Sequence, residues 1–266
     1  MIGAIIGDIV GSRFEWDNCR SKDFELFAPE CFPTDDSIMT LAVGKALMRS
    51  RPDWSDLSAQ AVRCMQEVGR PYPDCGYGGR FWGWIYDESP APYGSFGNGA
   101  AMRVSACGFA ARSLEEAKAL SRAVTEVTHN HPEGIRGAEA TAVAIYLART
   151  GSSREEICGV IDREYYPLDF TLDEIRDSYA FNESCQGTVP QALMAFFEST
   201  GFEDAIRNAI SIGGDSDTLA AITGGIAEAC YGVPQALRQR ATAYLDDRLR
   251  ELLEQCESWL KGRAEP

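Results

Sequence analysis

The stretch Leu219 to Tyr231 (LAAITGGIAEACY) constrains the fold most, because it carries Ala and Gly on nearly all sides. A helix with no broad polar face must be covered all round, so this one belongs at the centre of a bundle, where small residues let neighbours approach closely. The residues just before it, Gly213-Gly214-Asp215-Ser216-Asp217-Thr218, put two carboxylates and adjacent hydroxyls at its start. A second acidic cluster, Thr34-Asp35-Asp36-Ser37, follows Pro33 at another helix start, far away in sequence. Carboxylate and hydroxyl oxygens are the donors that hard divalent cations such as Mg²⁺ and Mn²⁺ prefer, so the two clusters, if brought together, could hold one or two such ions.

Each cluster also has a plainer explanation. Thr34 is a good N-cap, and acids in a first turn are favoured by the helix dipole. The pairing is what turns the reading towards metal. Asp215 and Asp217 flank Ser216, and alternate carboxylates in a loop can point at one ion, although the further acids and closing Glu of an EF-hand are missing.

Most of the remaining chain has helical rhythm. Apolar residues recur at i, i+3 and i+4 over Ser37–Met48, Leu57–Val68, Leu114–Val127, Ala138–Ala148 and Ala205–Ile210. Gln235–Leu260 reads as one amphipathic surface helix, and Met1–Val10 as a buried helix. Loops with Gly, Pro and aromatics cover 18–33, 69–79, 89–99 and 165–172, and no repeat or linker divides the chain. One compact all-α domain, residues 1–266, is the expectation.

The formal net charge of −15 does not suit nonspecific nucleic-acid binding, which draws its affinity from Lys and Arg on phosphates. It leaves room for a local anion site built from backbone N–H groups. No apolar run is long enough to span a membrane. Nine scattered cysteines without a CxxC pair read as reduced thiols in a cytoplasmic protein, and two histidines are too few for a structural zinc site.

Several other segments could carry chemistry. Asp8 lies in an apolar helix and needs a partner there, so it reads as a buried, hydrogen-bonded structural acid. Glu15 follows the helix end, either exposed to solvent or carried by a loop over a pocket. Gly94–Arg103 (GSFGNGAAMR) is a glycine-rich turn entering a helix, able to offer N–H groups to phosphate or to serve as a tight connection. Phe96 within it could stack on a base or belong to the core. Cys75–Phe81 (CGYGGRF) has the same ambiguity. His129 and His131 sit at a helix junction, as polar connectors or as a handle for ribose or phosphate. Gly187–Ala192 (GTVPQA) reads as a structural helix start with Pro near its first position.

Taken in order, GDIVGSRFE, PTDDS, GYGGRF, GSFGNGAAMR, THNHP, TVPQAL and GGDSDTLAAITGGIAEACYG resemble the ADP-ribosylglycohydrolase family from Gly7 to about Gly232. The resemblance implies an orthogonal helical bundle with a dinuclear Mg²⁺ or Mn²⁺ centre between helices. Position by position, it implies metal ligands at Thr34, Asp35, Asp36, Asp215, Asp217 and Thr218. Glu15 matches a glutamate on a mobile loop near the metals. Ser95, Phe96, Gly97, Asn98 and Gly99 match the segment around pyrophosphate and adenosine. Gly76, Tyr77 and Gly78 match another ligand-facing loop, and His129 a ligand-contacting His. Ser37 stands where many relatives have Thr.

The implied activity is hydrolysis of the glycosidic bond between ADP-ribose and an acceptor, with Glu15, Asp36 and Asp217 as its catalytic residues and two Mg²⁺ or Mn²⁺ as cofactors. The implied partner is an ADP-ribosylated protein or a small ADP-ribosyl substrate. Nucleic acid would enter only as a modified substrate, there would be no membrane partner, and the chain would be a monomer. A nonhydrolytic ADP-ribose reader would dispense with the metal carboxylates, as would a purely structural relative. A metal-dependent phosphoesterase would use a similar acidic centre.

Overall fold

Residues 2–11 are apolar apart from Asp8 and form a helix buried along its whole length, α1 (Ile2–Gly11). The structure, a computed structural model, describes residues 1–264. After α1 the helices are α2 (Asp35–Arg49), α3 (Leu57–Gly69), α4 (Gly79–Tyr86), α5 (Gly99–Met102), α6 (Ser105–Ala110), α7 (Leu114–Thr125) and α8 (Pro132–Arg149). They continue as α9 (Arg154–Glu164), α10 (Leu172–Ile175), α11 (Cys185–Phe197), α12 (Phe202–Ser211), α13 (Ser216–Tyr231), α14 (Gln235–Thr242) and α15 (Asp247–Ala264). Among the described residues there is no strand, only an isolated antiparallel bridge between Gly97 and Ser184. The expected all-α fold is the one observed. Glu265 and Pro266, the end of the expected 1–266 domain, lie outside the described residues.

The Ala/Gly-rich helix is central, as its composition requires. α13 is buried from Ser216 to Ala227, and α1, α8, α11 and α12 pack around it. Its contact with α1 is backbone on backbone. A Cβ added at Gly7 would lie 1.9 Å from the Ala220 carbonyl oxygen, and one at Gly3 would lie 2.3 Å from that of Gly224. Glycine is required here by space. The seam fixes the start of α13 beside the end of α1, and α2 packs against both.

Side-chain caps set the helix starts that face the site. Thr34 accepts from Asp36 N at α2, His131 from Glu133 N at α8, and Ser184 from Gly187 N at α11. Two expectations are corrected. Gln235–Leu260 is not one helix but α14 and α15, broken around Asp246. The Asp246 carboxylate accepts from Leu249 N at 2.8 Å and from Tyr72 Oη at 2.7 Å, which starts a new helix and ties its end to the 69–79 loop. Pro190 does not open a helix; α11 has already begun at Cys185 under the Ser184 cap, and Pro190 sits inside it.

Candidate metal centre

The α1–α13 seam and the start of α2 bring the two acidic clusters together. Thr218 Oγ1 donates to Asp36 Oδ2 at 3.2 Å across 182 residues of sequence. Asp8, Asp36 and Asp217 have carboxylate oxygens within 4.8 Å of one another, and so do Glu15, Asp215 and Asp217. Asp217 is common to both trios. Asp35 comes to the same cavity from the first turn of α2, its backbone N–H held by the Cys75 carbonyl at 3.0 Å.

The local chain explains the placement. Gly213 and Gly214 take φ of 71° and 78°, the left-handed region that suits glycine, and so turn the chain into α13. Gly214 is clamped by Asn18, whose amide oxygen accepts from Gly214 N and whose amide nitrogen donates to Gly214 O, both at 2.9 Å. The same nitrogen donates to the carbonyls of Phe14 and Glu15. Asn18 thereby ties the Glu15 turn to the second acidic cluster. The sequence reading missed it, since nothing in the motif singles out an Asn three positions beyond the glutamate. Gly76, at φ 112°, brings its backbone so close that a Cβ would stand 3.0 Å from Asp35 Oδ1.

Asp8 is the structural acid expected. Its Oδ1 accepts from Thr34 Oγ1 at 2.6 Å, and its Oδ2 accepts from Thr34 N at 2.9 Å, Ser37 N at 3.1 Å and Ser37 Oγ. Thr34, expected as a ligand, has its hydroxyl between Asp8 and the Asp36 N–H, and it does not line the cavity.

The acids repel one another. Burial first, and then the charges of Asp8 and Asp215, push Asp35 up to about 8. Burial followed by the Asp215 charge raises Glu15 to about 7. Asp8 rises to about 6 through burial, against four hydrogen bonds that favour its charge. Asp36 and Asp217 are held well above the ordinary range by burial and neighbouring carboxylates. Asp36 Oδ1 is buried without any hydrogen-bond partner. A set of mutually repelling oxygen donors with an orphaned carboxylate oxygen fits a hard divalent cation, which would relieve both the repulsion and the orphan. The site could hold metal ions.

Above the carboxylates lies a cavity of about 310 Å³, within the size range of small-molecule sites. Its walls include Glu15, the glycines 76, 78, 97 and 99, Ser95, Asn98 and His129, all expected from the sequence except as to detail. Asn98 spends its amide on Asp215 Oδ2 at 2.6 Å and Thr188 Oγ1 at 3.1 Å, so it braces the acidic centre from the cavity wall. Thr188, read as merely structural, completes that brace. Tyr77 turns away from the cavity, its hydroxyl donating to Gly69 O at 3.2 Å and its ring against Phe81. Phe96 also stays outside the cavity lining, 47% exposed, with its ring 5.2 Å from that of His131. It is not core. Sequence reasoning did not pick out Arg80, Arg103, Phe181 or Glu183, which also line the cavity. The two arginines stood in the quoted motifs; Phe181 and Glu183 carry no local signal.

Fold and site together define an all-α protein with a buried carboxylate centre opening on a cavity walled by glycine turns. The family profile described as ADP-ribosylglycohydrolase matches residues 1–265, and the chain belongs to that family, whose members are hydrolases acting on glycosyl bonds. ADP-ribosylhydrolase ARH3 of Mus musculus is 25% identical over 88% of this chain and 83% of its own length. ADP-ribosylarginine hydrolase Tri1 of Pseudomonas putida is 28% identical over 88% of this chain and 70% of its own. A solved structure titled "ADP-ribosylglycohydrolase-related protein complex" superposes with a TM-score of 0.69 over 99% of this chain and 97% of that one, at 23% identity, which speaks to the fold.

Proposed function

We propose that the chain removes ADP-ribose from an acceptor by hydrolysing the glycosidic bond at the anomeric carbon, with a pair of Mg²⁺ or Mn²⁺ ions as cofactors. The observation that carries this is the meeting of Asp36 with Thr218 and Asp217, around an Asp36 oxygen that no described residue satisfies. Asp35, Asp36, Asp215, Asp217 and Thr218 would hold the ions, while Thr34 acts through Asp8. Divalent cations bound there would supply Lewis acidity to ribose hydroxyls and to an attacking water.

The chain's own residues do the rest. Glycosidic cleavage passes through an oxocarbenium-like transition state. Glu15 stands at the cavity edge beside Asp215 and Asp217, where its carboxyl can carry a proton between water and the departing acceptor. Arg80, Arg103 and His129 line the cavity together with Gly97 and Gly99, and the two arginines bring positive charge to it, which reconciles an acidic protein with an anionic substrate.

The substrate proposed is an ADP-ribosylated protein or a small ADP-ribosyl compound, met by a monomer in the cytoplasm without a membrane partner. All nine cysteines are free thiols, which supports a reducing compartment. The test is turnover of ADP-ribosylated arginine and serine peptides with Mg²⁺, with Mn²⁺ and with EDTA. Free ADP-ribose, released only with metal, is expected. AMP or phosphate release would replace this reading with a phosphoesterase, and ADP-ribose binding without release from any acceptor would replace it with a reader. Sedimentation measures the monomer.

A further inference from the structure

Arg103 is the one lysine or arginine that is buried among the described residues, at 1% exposure. Among the described residues it forms no salt bridge and its Nε has no hydrogen-bond partner. Its Nη2 donates to Thr128 Oγ1 at 2.7 Å. A guanidinium has donors only, so the Thr128 oxygen accepts from it and must send its own proton elsewhere. Two acceptors stand near that hydroxyl: the Thr125 carbonyl at 3.4 Å and His129 Nδ1 at 2.7 Å. Nδ1 also faces Arg103 Nη2 at 3.5 Å, and that group again can only donate. With the hydroxyl proton on the 2.7 Å contact, a bare Nδ1 suits both neighbours and leaves the proton of the neutral ring on Nε2.

The ring is neutral for a second reason. It is 5% exposed, and burial, then the charges of Arg103 and Arg80, hold its pKa well below the ordinary histidine value. Arg103 reaches it from the end of α5 and Arg80 from α4; the Tyr93 ring lies 6.0 Å away. Within the described residues, the hydrogen bonds of the ring all fall on Nδ1. Nε2 looks instead onto the 97–99 turn, where a Cβ added at either Gly97 or Gly99 would sit 3.5 Å from it. The space in front of that nitrogen is kept clear by two glycines.

We propose that Arg103 and Thr128 are positioning residues that lock His129 as its Nε2–H tautomer, so that the ring donates a hydrogen bond to a phosphate oxygen of the substrate above the Gly97–Gly99 turn. An unlocked imidazole would turn a lone pair towards the same oxygen in its other tautomer and repel it. The guanidinium behind the ring forms no salt bridge among the described residues, and a phosphate in front of it adds an anion. That the accepting oxygen belongs to a phosphate rests on the activity proposed above; the tautomer does not.

The chain has only two histidines, so nitrogen-detected NMR of uniformly ¹⁵N-labelled, metal-free protein has two rings to report. His131→Asn keeps an acceptor for the Glu133 N–H at the start of α8 and leaves His129 alone in the spectrum. The expected result is a protonated Nε2 and a bare Nδ1, unchanged between about pH 5.5 and pH 8, the range in which a free imidazole changes charge. Thr128→Val should shift the proton to Nδ1 or restore ordinary titration. It should also raise KM for the ADP-ribosyl substrate about tenfold while kcat stays within about twofold, the effect of one misdirected hydrogen bond. Thr128→Ser should restore both. A wild-type ring protonated on Nδ1, or titrating near the free value, overturns the proposal, and this spectrum decides even if Thr128→Val does not fold. A folded Thr128→Val protein with wild-type spectrum and KM also overturns it. A locked ring in a protein that releases no ADP-ribose would uphold the lock and reject the activity.

Discussion

Asp8 and Asp217 sit in the same carboxylate cluster and do different work. Asp8 has both oxygens engaged by the Thr34 and Ser37 donors, so it holds the start of α2 in place. Asp8→Asn turns an amide NH₂ towards groups that themselves donate. We expect a loss of about 2–3 kcal/mol in unfolding free energy, measured by urea titration. Unchanged stability would show that the Asp8 bonds are dispensable. Asp217 belongs to both acidic trios, and its Oδ1 accepts its neighbour's backbone N–H. Asp217→Asn should therefore cost at least about 100-fold in turnover while the fold persists, by far-UV circular dichroism. In the metal-free state it should raise the melting temperature, because one of the mutually repelling charges is gone. Parental turnover in this variant would remove Asp217 from the centre.

At the scale of elements, the α1–α13 seam decides whether these residues meet. Gly7→Ala places a methyl group 1.9 Å from a backbone oxygen, which neither helix can absorb by a rotamer change. We expect destabilisation of about 3 kcal/mol or more in chemical denaturation, together with weaker divalent-metal binding by calorimetry, since the helices that part carry Asp8 and Asp217. An additive, silent substitution would mean that the seam is loose. Composition announced this seam: a helix without a polar face could only be central. The two acidic clusters were likewise legible, because capping and metal binding both call for short oxygen side chains at helix starts. The break at Asp246 was not read, since the apolar spacing runs on through Leu245 and Leu249, both buried, and hides the cap between them. Asn18 and Thr188 escaped because they act through contacts remote in sequence, with Gly214 and Asn98. Tyr77 and Phe96 kept their places in the motifs, but sequence order does not say which way a side chain turns.

The molecule as a whole stores electrostatic strain that a cation would release. Acids with folded-state pKa values above the unfolded ones favour the folded protein when protonated. The metal-free protein should therefore lose stability as pH rises from the ordinary carboxylate range, near 4, through the values of about 6, 7 and 8 at Asp8, Glu15 and Asp35. Added Mg²⁺ or Mn²⁺ binds the ionised, folded form and should raise the melting temperature more at about pH 8 than at about pH 5.5, with EDTA reversing it. A shift that is equal at both pH values would argue that metal binds somewhere other than this cluster.

The bond from Thr218 to Asp36 has one further consequence, which concerns synthesis. A ribosome delivers Asp8, Asp35 and Asp36 early and the opposite wall only after some 182 more residues, and long-range closures of this kind come late in folding. A nascent chain therefore carries unmatched acids until α13 emerges. A message truncated before that helix would yield no weakened enzyme but none at all, because the shortest working piece of this chain is nearly the whole of it.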